Sequence, residues 1–140
     1  MNSKVFDLRT ILTATTGMLL TKSKSKTDNG ISRLYELLDY ITDNSTYTHQ
    51  LGRVSEECKP HIFKTHSHLN GPRLREEVKN LKLTLKTEVG RKTPEVLIND
   101  WIFNLVAKNI CVAEYEISKM NSSEYTPECP IRELDKMLTH

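Results

Sequence analysis

Cys58, His61, His66 and His68 place four side chains able to ligate a transition metal within eleven residues of one another. Structural zinc draws two ligand pairs from separate elements to close a tetrahedron, and these four come from one continuous stretch. They read as solvent-exposed histidines near a helix end, with no metal expected. Cys58 and His61 also stand one helical turn apart, the spacing that lets a base activate a thiol. No glycine-rich elbow, oxyanion nest or third orienting group accompanies them, and Cys58 falls where a helix places a core residue. Neither a Walker motif nor a GxGxxG loop occurs, so phosphate-loop nucleotide chemistry has no support. The expectation is a protein that is not an enzyme and carries no cofactor.

Charge patterning points instead to binding. At 100° per residue, Arg75, Lys79, Lys82 and Lys86 fall within an arc of about 60° on a helix, with Glu76, Glu77 and Glu88 elsewhere on it. Residues 73–92, which also contain Arg91 and Lys92, hold seven basic and three acidic residues, whereas residues 114–136 hold six acidic and three basic. Such a ridge is either a solvated helix face or a docking surface for phosphates or for an acidic protein. No aromatic residues interleave with it, which argues against stacking on single-stranded bases. A second cluster, Thr48, His49, Gln50 and Arg53, sits at a loop-to-helix junction, where polar side chains and exposed amides either cap the helix or bind an anion.

The elements that must carry these residues follow from periodicity and punctuation. Asp7 and Gly17 bracket a short helix over Leu8–Thr16, and Met18-Leu19-Leu20 reads as a short strand leaving it. Residues 22–30 contain three lysines and no apolar side chain, the composition of a flexible Lys/Ser loop. Ile31, Leu34, Tyr35, Leu38 and Ile41 recur at helical steps and define a core helix. A second helical stretch runs from about Leu51 to His66, with Pro60 expected to kink or divide it. Pro72 opens, and Gly90 closes, a helix over residues 72–89 whose buried stripe is Leu74, Val78, Leu81, Leu85 and Val89. A strand reading of Leu81–Lys86 competes, but the helical stripe accounts for more of the apolar residues.

Thr93-Pro94 starts a helix to about Lys108 that is apolar on nearly every side, as expected for a central helix or for one shared with a second copy in a homodimer. Trp101 on this helix is expected to be largely buried. Cys111, Ala113, Tyr115 and Ile117 alternate as a strand that could pair with Met18–Leu20. Pro130 begins a last helix packing Ile131, Leu134 and Leu138. The result is an α+β fold: a mostly helical single domain over residues 1–140, with about five to six helices and a small two-stranded sheet.

Length and composition agree with this. A chain of 140 residues, 37% hydrophobic and 27% charged, suffices for one core and leaves no room for a second domain. Twenty basic against eighteen acidic residues give a net charge of only +2, so any electrostatic role must be local. Three widely spaced cysteines argue against a disulfide framework and for a reducing compartment. No signal peptide or membrane span is expected, which places the protein in a cytoplasm.

Several short motifs occur in order: Asp-Leu-x-x-Ile-Leu-x-x-Thr-Thr-Gly-x-Leu-Leu (Asp7–Leu20), Leu-Tyr-x-Leu-Leu-x-x-Ile-Thr (Leu34–Thr42), Thr-His-Gln-Leu-x-Arg (Thr48–Arg53), Glu-Cys-x-Pro (Glu57–Pro60) and Pro-Ile-x-Glu-Leu-x-x-Met (Pro130–Met137). Together they resemble a family of small proteins encoded by tailed phages and prophages of proteobacteria. Gly52 stands where that pattern expects proline, and Cys129 where an acidic residue is usual; the basic helix lies outside it. The resemblance implies a setting, the cytoplasm of an infected host, and no activity. By analogy with phage accessory proteins that lack enzyme motifs, it points to inhibition of a host defence protein or ribonucleoprotein complex such as CRISPR–Cas. The alternatives are a small-ligand or nucleotide-signal binder using Thr48, His49, Gln50 and Arg53, and a DNA-binding regulator.

Overall fold

The structure, a computed structural model, describes residues 3–18, 20, 31–88, 90–91, 93–120 and 130–138. The Lys/Ser segment 22–30, Val89, Lys92 and Cys129 lie outside these residues. In chain order the elements are β1 (Ser3–Asp7), α1 (Leu8–Thr16), α2 (Ile31–Thr42), a 3-10 turn (Thr48–Gln50), α3 (Leu51–Thr65), a second 3-10 turn (Ser67–Asn70), α4 (Pro72–Thr87), α5 (Pro94–Ala107), β2 (Glu114–Ser118) and α6 (Pro130–Leu138). This is the small, mostly helical α+β fold that the periodicities predict, with six α-helices and a two-stranded antiparallel sheet among the described residues.

The centre is a three-helix layer. Ile11 and Leu12 of α1, Leu37, Leu38 and Ile41 of α2, and Val54, Cys58 and Ile62 of α3 are all sealed from solvent. Helix α1 ends on Gly17, whose φ of 77° is the left-handed conformation glycine adopts without penalty and whose N–H closes on Thr13 O at 3.2 Å. Threonines then tie down the exit: Leu20 N–H donates to Thr13 Oγ1 at 3.0 Å and Met18 N–H to Thr16 Oγ1 at 3.2 Å. Helix α4 packs through Leu74 and Leu81, with Val78 and Leu85 half-buried and Leu83 exposed, so the helical stripe prevails over the strand alternative. Helix α5 turns Leu97, Ile98, Trp101 and Leu105 inward, and Trp101 Nε1–H donates to Glu77 O at 3.1 Å.

Three expectations need correction. The strand that pairs with β2 is β1, in the register Val5↔Glu116, Phe6↔Tyr115 and Asp7↔Glu114; Met18 and Leu20 form no strand. Phe6 supplies the reason: it buries against the core while Asp7 turns the chain directly into α1, where Leu8 N–H donates to Ala113 O at 2.9 Å. Helix α3 passes through Pro60 as one helix. Pro60 is on the solvent face, so water can satisfy the Glu56 carbonyl it leaves without a donor. Val54, Cys58 and Ile62, spaced by four, keep the opposite face locked in the core.

The third correction concerns α6. Ile131 and Leu138 are 78% and 76% exposed, while Glu133 between them is only 5% exposed. A short amphipathic helix ordinarily buries its apolar stripe; here a carboxylate faces inward because donors await it, as described below.

Candidate functional site

Helix α4 presents the basic ridge as periodicity placed it. Arg75, Lys79, Lys82 and Lys86 are all exposed along one flank, and Arg91 is exposed beyond the helix end. The Arg75 guanidinium donates to Asn70 Oδ1 at 2.6 Å, which holds it toward the second 3-10 turn. Neither an ion pair nor a hydrogen bond engages the ammonium groups of Lys79, Lys82 and Lys86 among the described residues. Helix α4 has other charges that do pair, since Glu77 lies 3.7 Å from Lys108.

Beside the ridge lies a cavity of about 420 Å³. Arg75, Lys79 and Lys82 form its basic rim together with the Glu76 carboxylate; Lys86 lies outside it. Phe63 of α3 and Leu69, Leu74 and Val78 supply apolar floor, and Thr15 and Thr16 at the end of α1 also line it. Both threonine hydroxyls donate back to α1 carbonyls, Thr15 to Ile11 O at 3.1 Å and Thr16 to Leu12 O at 2.6 Å, so toward the cavity they can act only as acceptors. The charge arc was legible in the sequence. The cavity was not, because α1, α3 and α4 come together only through tertiary packing.

The junction cluster converges on an anion, and that anion belongs to the chain itself. Gln50 is buried and its Nε2 donates to Glu133 Oε2 at 2.6 Å; Arg53 Nη2 donates to the same oxygen at 3.0 Å, and Arg53 Nε reaches Oε1. Arg53 Nη1 also pairs with Glu57 at 2.7 Å. The Arg53 hydrogen bond, aided by Gln50 and by the nearby His49, holds the Glu133 carboxyl below its ordinary range despite its burial. Thr48 accepts from the Tyr35 hydroxyl at 3.1 Å, and Gln50 Oε1 accepts from Tyr47 N–H at 3.2 Å. The cluster therefore clamps α6 onto the start of α3, and no side chain of it caps that helix.

The histidines clasp the sheet. His61 Nε2–H donates to Ser118 O at 2.7 Å and His66 Nε2–H to Glu116 O at 2.8 Å, alternate carbonyls along one edge of β2. His68 Nε2 lies 2.6 Å from the Tyr115 hydroxyl, whose oxygen accepts from Val112 N–H at 3.1 Å. Burial, reinforced by His66, lowers the His68 pKa, and burial pushes Tyr115 up to about 12. Cys58 sits in the core with its thiol pushed up to about 12 by burial and by Glu57, far from a poised nucleophile. No group of three or more His, Cys, Asp and Glu side chains is arranged to hold a metal ion among the described residues. No helix of the described residues is long and apolar enough to cross a membrane.

Residues 6–70 match the family described as a domain of unknown function, DUF7736. The match spans just under half of the chain, from Phe6 of β1 through α1, α2 and α3 to Asn70. It takes in Gln50, Arg53, the three clasping histidines and the Phe63 floor of the cavity, and it stops before α4. No curated protein and no solved structure matches the chain.

Proposed function

We propose that the protein is a non-enzymatic binding protein that docks through the α4 ridge on a phosphate-bearing or acidic surface of a host defence complex, acting in the host cytoplasm as an inhibitor. One observation carries the docking: Lys79, Lys82 and Lys86 stand exposed on one helix flank, and none of them is ion-paired among the described residues. Solvated lysines are common, but a one-sided row beside a concave wall concentrates positive potential where an anionic partner can lie. The resemblance to small phage-encoded proteins supplies the setting.

The test is charge reversal of all four residues to glutamate in the full chain. Each side chain is exposed, so folding stability should change by no more than about 0.5 kcal/mol per site. Expressed in a host carrying an active RNA-guided defence, the parent protein should restore plaque formation by a targeted phage and the reversed protein should not. With an isolated complex, binding should weaken steeply as salt rises, and the salt slope should shrink as each charge is removed. Full protection and an unchanged salt slope in the fourfold variant would overturn the proposal.

A further inference from the structure

We infer that the cavity at the N-terminal end of the ridge is a small-molecule site for a phosphate monoester carrying a flat body, of the size and chemistry of a nucleoside monophosphate. The inference deepens the docking proposal, resting on the same cations, and commits the cavity to a ligand of its own. About 420 Å³ falls within the range of small-molecule sites, which typically combine an apolar lining with a few placed polar groups.

The arrangement of the lining selects the chemistry. Arg75, Lys79 and Lys82 against Glu76 give the rim a net charge of +2. A phosphate monoester carries close to two negative charges at neutral pH and offers three acceptor oxygens to these donors. Asn70 holds the Arg75 guanidinium at the rim through one nitrogen and leaves its other N–H groups to face an anion. Behind the rim, the half-buried Phe63 ring and Val78 provide a surface on which a planar heterocycle can stack.

Two further groups separate a nucleotide from a bare anion. Glu76 repels an isolated phosphate but can accept from a sugar hydroxyl or an exocyclic amine. The Thr15 and Thr16 hydroxyls have spent their protons on α1 carbonyls, so toward the cavity they too can only accept, Thr16 already accepting once from Met18 N–H. A ligand that matches this lining therefore brings both an anion for the cations and hydrogen-bond donors for Glu76 and the threonines. Inorganic phosphate, though it keeps an O–H at neutral pH, is too small to fill about 420 Å³ and meet both sets of groups, and an unphosphorylated nucleoside leaves the cations without a partner.

Calorimetric titration of the full chain with AMP, adenosine and inorganic phosphate tests this. AMP should bind at least tenfold more tightly than either of the others. The Lys79→Glu, Lys82→Glu double variant should weaken AMP at least tenfold, whereas Lys86→Glu, outside the cavity, should weaken ridge docking while changing AMP affinity less than twofold. Val78→Phe, which fills the cavity from α4, should abolish AMP binding and spare docking of the ridge. Thr15→Phe intrudes from α1 and tests the same point if the first variant does not fold. AMP binding with these dependences in a protein whose ridge docks on nothing would support the site and remove the docking proposal. Equal affinity for AMP, adenosine and phosphate, no binding up to millimolar AMP, or unchanged AMP affinity in a folded cavity-filling variant would overturn the inference.

Discussion

Arg53 grips Glu133 across eighty residues of sequence, with Nη2 on Oε2 at 3.0 Å and Nε on Oε1, while the buried Gln50 amide donates to the same carboxylate. The two partners come from separate short motifs, Thr-His-Gln-Leu-x-Arg and Pro-Ile-x-Glu-Leu, and their contact explains why α6 turns its charged residue inward and its apolar residues outward.

Removing that carboxylate should release α6. Hydrogen bonds to a charged partner contribute about 1.5–3 kcal/mol. An Arg53→Ala and Glu133→Ala double-mutant cycle read by urea denaturation should give a coupling of at least about 1 kcal/mol, with amide protection lost first in α6. Coupling within about 0.3 kcal/mol of zero would mean that other contacts hold the helix.

The same pair predicts an acid limb. Because the folded state holds the Glu133 carboxyl below the value of an unfolded glutamate, about 4.3, its contribution is complete at neutral pH and drains away as pH falls through that value toward the depressed folded one. Stability of the parent should fall faster than that of Glu133→Gln between about pH 5 and 3. Parallel pH profiles would contradict the origin assigned to the shift.

His68 adds a second pH dependence at higher values. Its folded pKa lies below the value of about 6.5 expected unfolded, so the unfolded chain takes up a proton first, and stability present above that value declines as pH falls through it. The structural reason is local: burial disfavours the charged ring, and His66, whose ring lies 6.4 Å away, adds to the penalty. His68→Asn should flatten the urea midpoint between pH 7 and 5, and an unaltered decline would assign it to other groups.

Helix α5 offers a contrast between neighbours. Phe103 is 73% exposed, so Phe103→Ser should cost no more than about 0.5 kcal/mol. Leu105, two residues on and 1% exposed, should cost about 2–5 kcal/mol as alanine, and Trp101→Ala about 3–5 kcal/mol. Val96 and Phe103 form the outward apolar stripe of this helix, so we propose it as the contact if the chain pairs with itself. Light scattering at micromolar concentration should then fall from twice 16.1 kDa to a single chain in Phe103→Ser. A parent mass of one chain removes self-association altogether.

Where burial repeats at helical steps, the sequence was easily read. Leu34, Leu38 and Ile41 mark α2, and Leu74 and Leu81 mark α4, because each stripe is local. Tyr115 and Ile117 likewise betray β2 by their alternation. Its partner was missed because β1 buries only Phe6 within five residues, too few to show a period, and the pairing joins distant ends of the sequence. Pro60 misled in the same way, since a local helix breaker lost to the tertiary packing of Cys58 and Ile62. Of the candidate sites, the ridge is a property of one helix and was visible. The cavity behind it and the Glu133 clamp arise between elements and required coordinates.

The pairing of β1 with β2 also sets a timetable for folding. Phe6 leaves the ribosome more than a hundred residues ahead of its partner Tyr115. At a synthesis rate of about 5–20 residues per second, β1 waits roughly 5–20 s for the strand that completes the sheet. Helices α1, α2 and α3 have all their mutual contacts within the first half of the chain and can assemble in that interval. These helices, with Phe6 against Tyr40 of α2, can therefore form while β1 still lacks its strand partner, and an N-terminal fusion that sterically delays strand closure should lengthen that stage without touching the helices.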